Sequence, residues 1–217
     1  MSQHSGSEPE VVEERSGPKT ERGRRTLRRL LDAAGEEFGA RGYHDTAISN
    51  ITQNAGVGLG TFYVYFKSKE EVFRALVADM GARTRHAMTE STRGAHDRLE
   101  AERLGIQAFI EFVRSHKALY RVVMEAQFVA PEAYRAYYRT FAAAYRQQLA
   151  QAASRGEISE GQDDEVRVWA LMGASSFLGI RYGIWDAETD SGSVAAAASD
   201  LMINGLAPRA QKDKAPK

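Results

Sequence analysis

The chain contains no cysteine, which excludes a disulfide framework, a cysteine-ligated zinc or iron–sulfur centre and a thiol nucleophile. It fits a reducing cytoplasm. Proline is scarce, at 5 of 217 residues, and two of these lie in the last ten. No apolar run approaches the roughly 20 residues that cross a bilayer. The opening segment MSQHSGSEPEVVEE is polar and acidic, with neither a basic n-region nor an apolar h-region, and reads as no signal peptide. These absences point to a cytoplasmic protein with no membrane partner. Net charge is absent in sum, with 29 Lys and Arg against 29 Asp and Glu, but not locally. Residues 1–14 carry four Glu and no Lys or Arg, whereas residues 15–29 carry seven Lys or Arg against one Glu. A short basic block beside a balanced body suits either local contact with phosphates or a solvated tail.

Catalytic constellations are missing too. The histidines at 4, 44, 86, 96 and 116 show no ligand spacing, so no metal is expected. Gly56, Gly58 and Gly60 follow no strand and do not match a dinucleotide loop. Asp163, Asp164 and Glu165 sit where a helix start favours negative charge. With no nucleophile–base pair in sight, the chain reads as a non-enzyme without a cofactor.

What is present is helix. Strict polar–apolar alternation is lacking and β-branched content is low, so the expected class is all-α, with about nine helices. Residues 1–22 and 208–217 are polar and expected to be disordered tails. Leu27, Leu30, Leu31, Ala34 and Phe38 line one face of a first helix, which Gly42 terminates in a left-handed cap. Ile48, Ile51 and Ala55 mark a short second helix ending at Gly56. Thr61 to Phe66 form a third. Ser68 caps a fourth, with Glu70 and Glu71 in its first turn and Val72, Phe73, Leu76, Val77 and Met80 on its buried face. Longer helices are predicted at about 97–114, 116–129, 131–155, 163–186 and 193–206. Residues 23–67 thus read as a three-helix unit, and 68–207 as a larger helical domain.

Function is concentrated in TAISNITQNAGVGLGTFYVYF, from Thr46 to Phe66. Two short helices joined by a tight glycine turn form a helix-turn-helix, whose second helix enters the major groove. Val57 packs back as the buried residue of the turn, and Phe62 and Phe66 face the core. Gly58, Leu59, Gly60 and Thr61 are slim enough for close approach to base edges. Tyr63 and Tyr65 can reach phosphates, and Leu59 or the Thr61 methyl can meet a thymine methyl.

The stretch GYHDTAISNITQNAGVGLGTFYVYFKSKEEV, from Gly42 to Val72, closely resembles the DNA-binding domain of TetR/AcrR-type regulators. The likeness spans about 50 residues, to Val77, and the order of parts agrees with it. Thr52 stands where the family often has Ala, and Ser49 and Asn50 where Arg and Asp are common, so the second helix is expected to make fewer phosphate contacts. The resemblance implies that Thr46 caps the second helix and bonds a phosphate, and that Gly58, Leu59, Gly60, Thr61 and Tyr63 belong to the recognition helix. It also implies that Tyr65 and Lys69 contact phosphates and that Arg24 and Arg25 reach the backbone or the minor groove. Readout through two glycines is sparse, which leaves a share of specificity to DNA shape.

The larger half resembles the family's effector and dimerisation domain in layout. The resemblance implies a homodimer through the last two helices, the first of which holds Gly173, Ala174, Gly179 and Gly183. Such small residues suit close packing between subunits or within one. A cluster of aromatics, with one or two cations, suits either an ordinary core or an effector pocket formed by Tyr120, Arg121, Met124, Phe128, Tyr138, Phe141, Trp169, Phe177 and Arg181, with Arg121 or Arg181 meeting an anion. The implied effector is an acyl-CoA or an apolar or aromatic acid. The reading is a DNA-binding repressor on a palindromic operator, released by a small molecule. The alternative is a helical architectural protein that binds DNA without an effector.

Overall fold

A computed structural model describes residues 17–206. Among them are nine α-helices and no strand: α1 (Glu21–Asp45), α2 (Ile48–Ala55), α3 (Leu59–Tyr65), α4 (Lys69–Thr92), α5 (Arg98–Ser115), α6 (Lys117–Val129), α7 (Pro131–Ser154), α8 (Asp164–Gly179) and α9 (Ser191–Asn204). A π-helical stretch, Ile180–Trp185, continues α8. Side-chain oxygens cap five of these helices. Thr20, Ser68, Asp97, Asp163 and Asp190 each accept a backbone N–H from the first turn, a contact worth about 1 kcal/mol apiece. Pro131 opens α7, where its missing N–H costs nothing.

Most predicted boundaries agree to within two residues, and the exceptions have physical reasons: the first helix, expected to stop in a left-handed cap at Gly42, continues to Asp45 across a kink at Gly42, whose φ of 82° and ψ of 170° lie outside the left-handed helical region. Residues 1–16 and 207–217 lie outside the described residues, and with them nearly all of both expected tails. Inside the described part, residues expected as tail up to 22 already form the Thr20 cap and first turn of α1. The recognition helix begins at Leu59 rather than Thr61, because extended Gly58 serves as its N-cap. The helix expected over 163–186 changes to π geometry after Gly179. There Gly179 and Gly183 press on α5: a Cβ on either would lie 2.6 Å from Phe109 or Val113.

One core crosses the expected boundary at residues 67 and 68. Leu30, Phe38, Ile51, Phe62 and Phe66 of the first three helices pack with Phe73 and Leu76 of α4, Val122 and Val123 of α6 and Tyr137 of α7. All five residues assigned to the buried face of α4 are at most 1% exposed. Smaller clusters join α5 to α9 through Ile106, Ile110, Val194 and Ala195, and α7 to α8 through Ala142, Leu149 and Val168. The helix-turn-helix is therefore seated directly on the larger body. No helix among the described residues is long and apolar enough to cross a membrane.

Candidate nucleic-acid interface and internal cavity

The turn between α2 and α3 is built as the sequence requires. Gly56 lies in the left-handed region (φ 60°). Its N–H donates to Gln53 O, and the Val57 N–H donates to Thr52 O at 3.0 Å. This pair of bonds closes a helix C-terminus in a Schellman motif, with Val57 packed against the core. Arg29 of α1 donates to Ala55 O, and to Gly56 O at 3.1 Å, clamping the same carbonyls from below. Arg29 was legible only as part of the basic block.

From this seat α3 buries Phe62 and exposes its other side. Tyr63 is 48% exposed, Val64 70% and Leu59 52%. Gly58 and Gly60 have no neighbouring atom within 4 Å of a would-be Cβ, so a groove wall can approach the backbone closely. Together with exposed Thr61, these residues form an apolar and hydroxyl-bearing face.

The flanking residues divide. Arg24 and Arg25 are exposed and share Glu21, at 2.8 and 3.5 Å. Such surface pairs are weak, and a phosphate can replace the carboxylate. Thr46 is different. Its hydroxyl is turned inward and donates to Gly42 O at 2.7 Å and Glu37 O at 3.1 Å, and the residue is 1% exposed. The cap of α2 is Ala47, whose N–H donates to the Asn50 side chain at 2.9 Å; the departure at Asn50 thus has a structural use. Tyr65 donates to Gly23 O at 3.2 Å, joining the end of α3 to the start of α1, and so has no O–H left for a phosphate. Lys69 donates to the carbonyls of Tyr43, His44 and Thr46 at 2.8, 3.2 and 2.9 Å. Its three donors are occupied.

Lys69→Ala is therefore expected to destabilise the fold by about 1–3 kcal/mol, the usual range for losing charge-assisted hydrogen bonds to carbonyls. Thermal unfolding checks this. An unchanged melting temperature, with the salt slope of DNA binding reduced by about one, would return Lys69 to the phosphate contacts.

The second feature is a cavity of about 210 Å³ in the larger body. Helices α4 to α8 line it, with Phe109, Tyr120, Tyr137, Tyr138, Phe141 and Tyr145 as its aromatic wall. Burial pushes the Tyr137 phenol up to about 12 and raises those of Tyr120, Tyr138 and Tyr145, so all four remain neutral hydroxyls. At one end Arg98 donates to Glu102 at 2.8 Å and to Gln148 at 3.0 Å, and Tyr145 donates to the same carboxylate.

The family model described as "Bacterial regulatory proteins, tetR family" matches residues 30–76, the helix-turn-helix and its support. The uncharacterized HTH-type transcriptional regulator YdgC of Bacillus subtilis is 28% identical over 192 residues, covering 87% of this chain and 96% of that protein. Residues 30–76 carry the DNA-binding domain of the TetR family of bacterial regulators. A shorter match, 45% identical over 47 residues, joins the chain to the fatty acid metabolism regulator protein of Bacillus subtilis, covering 22% of this chain and 24% of that one. The fold is shared with the transcriptional regulator FadR from Bacillus subtilis, solved in complex with stearoyl-CoA. The TM-score is 0.73 at 22% identity, over 83% of this chain and 99% of that one.

The expected pocket residues divide as well. Tyr120, Tyr138 and Phe141 line the cavity. Arg121 and Met124 border a separate depression with Phe38, Gly42 and Ile184. Phe128 is 81% exposed. Trp169 and Phe177 look outward from α8, and Arg181 pairs with Asp186 at 3.2 Å. Arg85, Arg98 and Glu102 line the cavity and were not foreseen. Their polarity hid them among surface charges.

Proposed function

We propose that this regulator is a homodimeric repressor that binds a palindromic or near-palindromic operator in the cytoplasm, through residues 23–67. A small molecule entering the body formed by residues 68–207 releases it. The observation that carries the DNA-binding half is the face of α3. Three large apolar or aromatic side chains and two bare glycines stand exposed on a helix whose opposite side is locked by Phe62. A soluble surface gains nothing from such residues unless a partner covers them. Arg24 and Arg25 supply the flanking phosphate contacts. The hydroxyl of Thr46, Tyr65 and Lys69 serve by holding the unit rigid.

The effector half is supported by the aromatic cavity and by its connection to the DNA-binding unit. Helix α6 places Tyr120 in the cavity wall. One turn and a half further on, the Glu125 carboxylate accepts the Tyr43 N–H at 2.9 and 3.0 Å, while Lys69 holds the Tyr43 carbonyl. A shift of α6 on ligand entry pulls on the residue that α4 also grips, and so reorients the helix-turn-helix. DNA weakens the ligand by the same factor. Relatives named for fatty acid metabolism, and the stearoyl-CoA complex of a protein with this fold, favour an acyl-CoA or an apolar acid as the effector class.

The test is recovery of bound fragments from sheared genomic DNA, repeated with Tyr63→Ala. A single enriched palindrome is expected for the parent protein. The variant is expected to lose about 1–3 kcal/mol per half-site at unchanged melting temperature, because Tyr63 is half exposed. Retention only at low salt, with no enriched sequence, would replace the operator reading with non-specific architectural binding.

A further inference from the structure

Three charged side chains line the cavity: Arg85, Arg98 and Glu102. Arg98 and Glu102 neutralise each other, 12% and 14% exposed, and Gln148 and Tyr145 complete their hydrogen bonds. Arg85 has no such partner. Its guanidinium lies over the Phe141 ring, 5.5 Å from the centroid, and no carboxylate among the described residues lies within ion-pair distance of it. The cavity therefore carries one uncompensated positive charge in an aromatic wall. Its second unmatched group is the Tyr120 hydroxyl, on a residue 2% exposed, which has no hydrogen-bond partner. A buried hydroxyl without a partner is costly and rare. Both groups want the same thing, an acceptor, and one of them wants it charged. The volume, about 210 Å³, falls below the roughly 300–1,000 Å³ of sites that take drug-sized ligands.

We infer that the cavity binds a small apolar monocarboxylate, its carboxylate held by Arg85 and the Tyr120 hydroxyl and its body packed among the aromatic rings. Only the regulatory consequence rests on the proposed release from DNA; the binding itself does not. The inference separates the free acid from its coenzyme A thioester. The thioester has no carboxylate to offer, and its phosphates find no further free cation in the lining.

Calorimetric titration of the full chain with octanoate, 3-phenylpropanoate and benzoate tests this, alongside the matching primary amides and octanoyl-CoA. At least one acid is expected to bind, with its amide tenfold or more weaker. Arg85→Gln is expected to abolish that preference and Arg85→Lys to keep most of it, which a merely structural arginine would not do. Tyr120→Phe is expected to weaken the acid several-fold without lowering the melting temperature, since it removes an unmatched hydroxyl. Binding by none of the acids, equal binding of acid and amide, a preference that survives Arg85→Gln, or binding of octanoyl-CoA alone would each overturn the inference. An acid that binds as expected yet leaves the operator complex intact would uphold the site and sink ligand release.

Discussion

Gly39→Val is expected to cost about 3 kcal/mol, the upper end of the usual range for overpacking, and to lower the melting temperature by roughly 6–12 °C for a chain of this size. Gly39 is buried where α1 crosses α6. A Cβ there would lie 2.5 Å from that of Ala118 and 2.9 Å from its Cα and carbonyl oxygen. Backbone cannot step aside as a side chain can, so the two helices must separate. Gly35, one turn earlier, provides the contrast. A Cβ at Gly35 meets the end of the Leu119 side chain, which can rotate away, so Gly35→Ala is expected to cost less. Separation at Gly39 also lifts Glu125 from Tyr43, and with it the link between the cavity wall and the DNA-binding unit. Gly39→Val is therefore expected to blunt the response of any remaining DNA binding to an effector. Equal melting temperatures for the Gly39 and Gly35 variants would show that α1 and α6 do not meet as closely as this.

The helices, their caps and the turn were legible because each depends on residues close together in the chain. Ser68 with Glu71 and the Gly56–Val57 pair are decided within one or two turns. The uses of Thr46, Tyr65, Lys69 and Arg29 were not legible. A hydroxyl or ammonium near a helix end serves phosphate or carbonyl equally well, and the choice depends on which backbone folds beside it. The pocket shows the same limit, although one signal was available. On α6, Leu119, Val122, Val123, Ala126 and Ala130 fall at i, i+3, i+4, i+7 and i+11, and they form the face turned to the core. Arg121 and Phe128 fall on the exposed side of α6, away from this face, whereas Met124 lies four residues after Tyr120 and borders a different depression that the helical spacing alone does not reveal. Arg85 and Glu102 needed the tertiary structure, since nothing local distinguishes them from solvated charges.

Phe177→Glu is expected to turn the protein into a monomer and to lower operator affinity by two to four orders of magnitude, the usual worth of joining two binding modules. Helix α8 leaves Val166, Ala170, Gly173, Ala174 and Phe177 exposed at helical spacing, with Phe177 at 72%. Helix α9 leaves Ala196, Ala197 and Leu201 exposed in the same way. Gly173, which suited close packing within or between subunits, has no neighbour within 4 Å of a would-be Cβ, whereas Gly179 and Gly183 press on α5. The small residues of this helix thus divide: Gly179 and Gly183 pack inside the chain, and Gly173 and Ala174 stay exposed, where the proposed second copy would meet them. In an isologous interface each substitution enters twice. Losing two phenylalanines from contact removes about 3–6 kcal/mol, before the cost of burying two carboxylates. Sedimentation velocity reads the association state, and thermal unfolding separates it from the fold, which Phe177 hardly supports. Gly179→Ala, two residues on, is expected to behave in the opposite way: its Cβ meets the Phe109 ring, so stability falls. A Phe177→Glu variant that still sediments as a dimer would place the two-fold contact elsewhere, and the operator would then have to be read by a different pairing of the two recognition helices.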